Sequence, residues 1–163
     1  MSRSRNKADP SDPEAALEAA LRLLVRREHA GLELERKLAG RGFERAAVDA
    51  ALERARELDY LSDLRYAEFM ARHRTEQGYG EQRIRAELAH NGIDTDTVQG
   101  ALESLDIDWV EQARSQLGRH FRAPPASRTD EARCLRHLAG RGFPGEVARQ
   151  ALGAWKNEGE GFD

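Results

Sequence analysis

Apolar residues recur every three to four positions along most of the chain, which is the spacing of one face of an α-helix. The clearest runs are Val48, Leu52 and Ala55; Val98, Leu102 and Leu105; and Val147, Ala151 and Trp155. No stretch of alternating apolar and polar residues interrupts this spacing for long enough to indicate a strand. The pattern therefore predicts an all-α protein.

One short sequence returns three times with a period of 50 residues, as Leu38–Phe43, Leu88–Ile93 and Leu138–Phe143. The register also holds upstream, where apolar residues occupy the equivalent positions Leu34, Ile84 and Cys134. It holds again downstream, at Ala51-Leu52, Ala101-Leu102 and Ala151-Leu152. A period of this length, kept in register over three copies, predicts a tandem-repeat architecture.

Each copy contains a glycine followed by an apolar residue, and we call residues 41–43, 91–93 and 141–143 the glycine stops. A glycine in the left-handed conformation ends many helices, and the residue after it then packs on the helix that it ended. We therefore give Gly42, Gly92 and Gly142 a structural role. The contacts expected from this geometry are Leu38 with Phe43, Leu88 with Ile93, and Leu138 with Phe143.

Each repeat is interpreted as helix, loop, helix, glycine stop, helix. Residues that favour helix starts stand at the expected places, namely Asp12-Pro13-Glu14, Ser62, Asp94-Thr95 and Pro144. The first helix is expected to present Leu17, Leu21, Leu24 and Val25 on one apolar face. Gly78-Tyr79-Gly80 is interpreted as a flexible lead-in to the second helix of the second repeat.

The predicted boundaries are residues 14–61 for repeat 1, 62–106 for repeat 2 and 107–157 for repeat 3, with tails at 1–13 and 158–163. A three-helix unit of about 50 residues has a thin core and gains stability by sharing a face with its neighbour. The expected fold is therefore all-α, with three tandem three-helix repeats forming an elongated, curved array.

The composition agrees with an extended array more than with a single rounded core. Charged residues make up 34% of the 163 residues, and the mean hydropathy is −0.76. No apolar run approaches the ~18 residues of a membrane helix, and the N-terminus lacks the apolar segment of a signal peptide. With one cysteine and no targeting signal, we expect a cytoplasmic protein.

The sequence contains no pattern of residues that points to catalysis or to a cofactor. There is no nucleophile elbow and no phosphate-binding Gly-Lys-Ser or Gly-Lys-Thr sequence. Cys134 and His137 are three residues apart, but two ligands alone do not hold zinc. We expect Cys134 to face the core and the protein to act as a non-enzyme, with no metal and no cofactor.

Arginines supply most of the positive charge, and they cluster in every repeat while the net charge stays at −3. As a set they predict contact with an acidic protein, a nucleic acid or both. The candidate contact residues are Arg26, Arg27, Arg65, Arg72, Arg74, Arg83, Arg133 and Arg136.

Several short motifs, in order along residues 14–156, resemble those of the bacterial RecX regulatory proteins. They are Leu23–His29, Glu33–Leu38, Tyr60–Ala67, Gly78–Ile84 with Glu87-Leu88 and Gly92-Ile93, and Leu138–Phe143. Asp63-Leu64-Arg65-Tyr66-Ala67 is similar to the Asp-x-Arg-Tyr-Ala signature of that family. The resemblance singles out Arg65, Tyr66, Arg72 and Arg83 as partner contacts, followed by Arg26 and Arg27.

The resemblance implies a regulator of DNA recombination and repair that lies in the groove, or at the end, of the RecA filament. Such a protein inhibits the ATPase, strand-exchange and coprotease activities of RecA in the SOS response. The expected form is a monomer that binds the filament, with the single-stranded DNA inside it as a further candidate partner. The alternative is a helical-repeat protein that binds single-stranded DNA directly through its rows of arginines.

Overall fold

The computed structural model describes residues 7–161, and these residues form nine α-helices and no strand. Repeat 1 contains α1 (Pro13–Arg26), α2 (Gly31–Gly40) and α3 (Arg45–Glu57). Repeat 2 contains α4 (Asp63–Glu76), α5 (Glu81–His90) and α6 (Thr95–Leu105). Repeat 3 contains α7 (Trp109–His120), α8 (Arg128–Arg141) and α9 (Gly145–Glu160). The predicted all-α repeat fold is confirmed.

Short polar side chains begin several of the helices by binding the free amides of the first turn. The Asp12 carboxylate accepts a hydrogen bond from the amide of Glu14, and Pro13 follows as the first helical residue. The Ser62 hydroxyl accepts from the amide of Arg65, and Asp94 accepts from the amide of Thr97. The helix starts predicted at Asp12, Ser62 and Asp94 are thus confirmed at the level of individual hydrogen bonds.

The glycine stops have the predicted conformation. The φ angles of Gly42, Gly92 and Gly142 are +95°, +80° and +96°, in the left-handed region that favours glycine. The amide of Phe43 donates to the carbonyl of Leu38 at 3.3 Å, and Phe143 donates to Leu138 at 3.0 Å. In each pair the phenylalanine packs on the core that holds the leucine. Leu88 and Ile93, the equivalent residues of repeat 2, are both buried.

The buried face of α1 differs from the predicted one. Ala16, Ala20 and Leu23 are buried, whereas Leu17 and Leu24 are only partly buried. Val25 is 86% exposed, so its assignment to the apolar face is wrong. The reason is close packing of α1 on α3, where small side chains allow the two helices to approach each other. A pattern weighted toward large apolar residues overlooks a face made of alanines.

The chain divides into two compact units. The first contains the described residues up to Ala67 together with Asn91–Ile93, and the second contains Glu68–His90 and the described residues from Asp94 onward. The core of the first unit gathers around Leu34, Leu38 and Leu52, and that of repeat 3 around Leu138, Phe143 and Trp155. The elongation and the curvature of the array stay predictions.

Both predicted tails are shorter than expected. α9 continues to Glu160, so residues 158–160 are helical rather than part of a tail. At the other end Pro13 begins α1, and the carbonyl of Pro10 accepts a hydrogen bond from the amide of Glu44 at 2.8 Å. Residues 1–6 and 162–163 lie outside the described residues.

Candidate partner-binding surface

Three of the candidate arginines are held by carboxylates of their own unit. Arg27 binds both oxygens of Glu33, with distances of 3.0 and 2.7 Å. Arg74 forks onto Glu87 with distances of 2.8 and 2.6 Å, and these hydrogen bonds hold the pKa of Glu87 below its ordinary value. Much of the charge on these arginines is therefore balanced inside the protein.

Arg65 is the third, and it joins three parts of the first unit. Its guanidinium donates to Glu28 at 3.0 Å, to the carboxylate of Asp59 at 2.9 Å and to the carbonyl of Asp59 at 2.8 Å. Asp59 has a φ of +62°, which an aspartate adopts at some cost. Arg65 thus fixes the turn after α3 and the segment after α1 against the start of α4, which is a structural role.

Tyr66 lies in the core, although the sequence resemblance predicts a partner contact at this position. Its side chain is only 4% exposed, and its hydroxyl accepts a hydrogen bond from the side-chain amide of Asn91 at 2.9 Å. The Tyr66 ring therefore lies beneath the surface and not on the face that a partner would contact. This position is explained by helical register, since Tyr66 follows Ser62 by one turn and faces the same side of α4 as Ala67 and Ala71.

The remaining candidate arginines reach solvent. Arg26, Arg72 and Arg136 are exposed, and none of them pairs with a carboxylate among residues 7–161. Arg133 is exposed as well, with Asp130 at 4.0 Å as a long ion pair. These four positions offer charge to a partner at little cost, because their guanidinium groups do not have to leave a short internal ion pair.

The Gly78–Gly80 loop forms a tight contact between repeats 2 and 3, and its interpretation as a flexible lead-in is wrong. The amide of Gly80 donates to the carbonyl of Arg141 at 2.8 Å, and that of Gln82 donates to Gly142 at 2.9 Å. A Cβ atom on Gly80 would lie 2.5 Å from the carbonyl carbon of Gly142. Glycine is thus required here by close approach of two backbones.

Arg83 is exposed and lies over the ring of Tyr79 in this loop. Its guanidinium carbon is 4.3 Å from the ring centroid, and that of Arg141 is 4.0 Å from the same centroid. Such cation–π contacts orient the arginines while leaving their N–H groups able to donate. The arginine clusters of the sequence include Arg83 and Arg141 but give no sign of Tyr79, and they do not predict that the three side chains meet, because their proximity depends on the contact between the repeats.

His29 is a buried polar residue that no sequence pattern singles out as a site. It is 2% exposed, and its Nδ1 lies 3.0 Å from the carbonyl oxygen of Arg27. Nε2 lies 3.1 Å from the ammonium of Lys37, which can only donate, so Nε2 accepts and Nδ1 carries the proton. Burial lowers the pKa of His29, which keeps the ring neutral.

The described residues hold no group of three or more His, Cys, Asp or Glu side chains that could bind a metal ion. Cys134 is buried as predicted, and burial raises the pKa of its thiol. Within residues 7–161 no helix combines the length and the apolar character that crossing a membrane requires.

An all-α fold of three-helix repeats belongs to the class of helical-repeat proteins. Comparison with known proteins identifies the particular family. Family models described as RecX first, second and third three-helix domain match residues 16–54, 62–102 and 106–152. The chain belongs to the RecX family.

Named relatives support this assignment over most of the chain. The regulatory protein RecX of Stenotrophomonas maltophilia strain K279a is 40% identical over 139 residues, 85% of each chain. That of Acidithiobacillus ferrooxidans strain ATCC 53993 is 43% identical over 145 residues, covering 88% of this chain and 91% of the relative. The crystal structure of RecX from Lactobacillus salivarius has a similar fold, with a TM-score of 0.78 at 22% identity over 90% of this chain and 97% of that one.

Proposed function

We propose that this protein binds the RecA recombinase filament and inhibits its ATPase, strand-exchange and coprotease activities. The observation that carries the proposal is the 40% identity, over 85% of the chain, to a protein named regulatory protein RecX. The proposed regulator acts by binding alone, in the cytoplasm, as a monomer and without a cofactor.

The arrangement of charge favours a protein partner over bare DNA. Arg27, Arg65 and Arg74 form short ion pairs with Glu33, Glu28 and Glu87, so they are poorly placed to neutralise phosphates. The net charge of −3 further weakens long-range attraction to a nucleic acid. The exposed arginines are better suited to local contacts with acidic patches on a protein surface.

The test is to mix the protein with RecA filaments on single-stranded DNA and follow ATP hydrolysis and filament length. We expect inhibition at or below an equimolar ratio. Reversal of two exposed arginines, Arg72→Glu with Arg136→Glu, should weaken that inhibition while the helical circular dichroism spectrum persists. Arg149→Glu is the matched control, since Arg149 is an exposed, unpaired arginine of α9, within the described residues, that lies outside the candidate set. A wild-type protein that leaves ATP hydrolysis and filament length unchanged would refute the proposal.

A further inference from the structure

The three glycine stops differ in what covers them. A Cβ atom on Gly92 would lie 2.8 Å from Cδ2 of Leu32, in the first turn of α2. A Cβ atom on Gly142 would overlap Cβ of Arg83, in the first turn of α5. The stops of repeats 2 and 3 are therefore each covered by the first turn of the preceding repeat's second helix. Around Gly42 no atom of residues 7–161, apart from Gly42 itself and its two chain neighbours, lies within 4 Å of the Cβ position, so the stop of repeat 1 is open.

The covered stop of repeat 3 shows which groups make this contact. The carbonyls of Arg141 and Gly142 accept hydrogen bonds from the amides of Gly80 and Gln82. The guanidinium of Arg141 in turn donates to the carbonyls of Gln77 and Gly78. The stop of repeat 3 thus offers two acceptors and an arginine to a helix start with free amides.

The open stop of repeat 1 presents the same groups without an occupant. Arg41 is the equivalent of Arg141, 100 residues earlier in the chain, and it is exposed with no ion pair among the described residues. No amide of residues 7–161 outside the helices donates to the carbonyls of Arg41 or Gly42. Beside them lies an open cavity of about 480 Å³ whose lining includes Lys7 and Arg41, together with Arg22 and Glu18, which pair with each other at 3.1 Å.

The second helices of another copy of this chain are poor occupants. Among them, the first turns of α2 and α5 are already covered, which leaves α8. α8 begins at Arg128, three residues before the position equivalent to the start of α5, and the amide of Glu131 bonds to the carbonyl of Ser127. Ala132, the equivalent of Gln82, then donates within the helix, so α8 lacks the free amides that a stop accepts.

We propose that the open stop of repeat 1 docks the first turn of a helix from a protein partner, with acidic residues in that turn. Acidic side chains are favourable at helix N-termini and complement Lys7 and Arg41. The inference rests on the proposed function, in which the partner is a protomer of the RecA filament. It assigns the contact to Arg41, which stands outside the candidate set drawn from the sequence.

Arg41→Ala and Gly42→Asn test the inference in the full chain. Arg41→Ala removes the guanidinium group that would donate hydrogen bonds to the partner. Gly42→Asn places a side chain where the partner's helix would lie, and asparagine is chosen because it tolerates a positive φ better than most residues. Each should raise the dissociation constant for RecA filaments roughly tenfold. For Arg41→Ala this is the loss expected for hydrogen bonds to a charged group. Arg36→Ala and Gly40→Asn are the matched controls, because both positions are exposed on α2 and Gly40 has open space at its Cβ position. Both controls should stay within about twofold of wild type, because neither residue lines the stop.

The outcomes separate the inference from the proposed function. If wild type binds filaments and folded Arg41→Ala binds equally well, the inference is wrong and the proposed function stands. If wild type does not bind, both fail. Self-association of the wild type that Arg41→Ala abolishes, measured by sedimentation, would assign the stop to a second copy and overturn the choice of partner. Thermal melts show whether Gly42→Asn is folded, and if it is not, the affinity of Arg41→Ala alone decides between these outcomes.

Discussion

At the scale of single residues, His29 links burial to the response of the protein to pH. Its two ring nitrogens are saturated by the carbonyl of Arg27 and the ammonium of Lys37, and the carboxylate of Glu33 acts on the ring as a counter-charge. Protonation of Nε2 would break the bond from Lys37 and place two cations side by side. The folded state therefore binds this proton less readily than the unfolded chain does.

The sign of the resulting pH dependence follows from the lowered pKa of His29, whose ordinary value is 6.5. Its contribution to stability is complete above pH 6.5 and is lost as the pH falls toward the folded-state pKa, where the unfolded state takes up the proton first. In urea titrations at several pH values, His29→Gln should flatten the loss of unfolding free energy below pH 6.5. Burial also lowers the pKa of His137, so part of the slope should persist. An unchanged slope in His29→Gln would contradict the assignment.

At the scale of elements, the loop before α5 is where two backbones meet. The carbonyl carbon and oxygen of Gly142 would lie 2.5 and 2.6 Å from a Cβ atom on Gly80, and neither atom belongs to a side chain that could rotate away. Gly80→Ala should therefore lower the unfolding free energy by about 1–3 kcal/mol, the usual cost of overpacking. Gly100→Ala is the control, because Gly100 lies within α6 with open space at its Cβ position. It should raise stability by up to about 1 kcal/mol through helix propensity, and equal effects of the two changes in urea denaturation would refute the steric argument.

The sequence was sufficient for features that depend on local chemistry. Capping by Asp12, Ser62 and Asp94 and the left-handed glycine stops were predicted because each depends on residues within one or two turns. The buried face of α1 and the Gly78–Gly80 loop were not, because close approach of α1 and α3, or of Gly80 and Gly142, depends on tertiary contacts. Small residues carry little hydrophobic signal, although they decide how near two elements can come.

At the scale of the whole molecule, the candidate site could likewise be predicted only as far as it depends on local sequence. Residue type and clustering identified the arginines, but not which of them are neutralised by carboxylates of the chain. Arg65 is bound to Glu28, which is 37 positions away, and Arg74 to Glu87, which is 13 positions away. Neither pair has the helical spacing that sequence patterns detect. The surface left to a partner is therefore smaller than the composition suggests, and within the described residues it is concentrated at unpaired positions such as Arg26, Arg72 and Arg136.

This reduced cationic surface predicts how the activity responds to salt. A protein that neutralises about six to ten phosphates loses roughly a thousandfold or more in affinity between about 50 and 200 mM salt. With Arg27, Arg65 and Arg74 paired internally, we expect the dissociation constant for RecA filaments to change by less than about tenfold over that range. Binding to a bare single-stranded oligonucleotide, measured by fluorescence anisotropy, should be weak at about 200 mM salt. Two results together would favour direct DNA binding. They are a steep salt dependence and tight oligonucleotide binding that is lost in the double variant Arg133→Glu with Arg136→Glu, because the affinity would then arise from phosphate contacts.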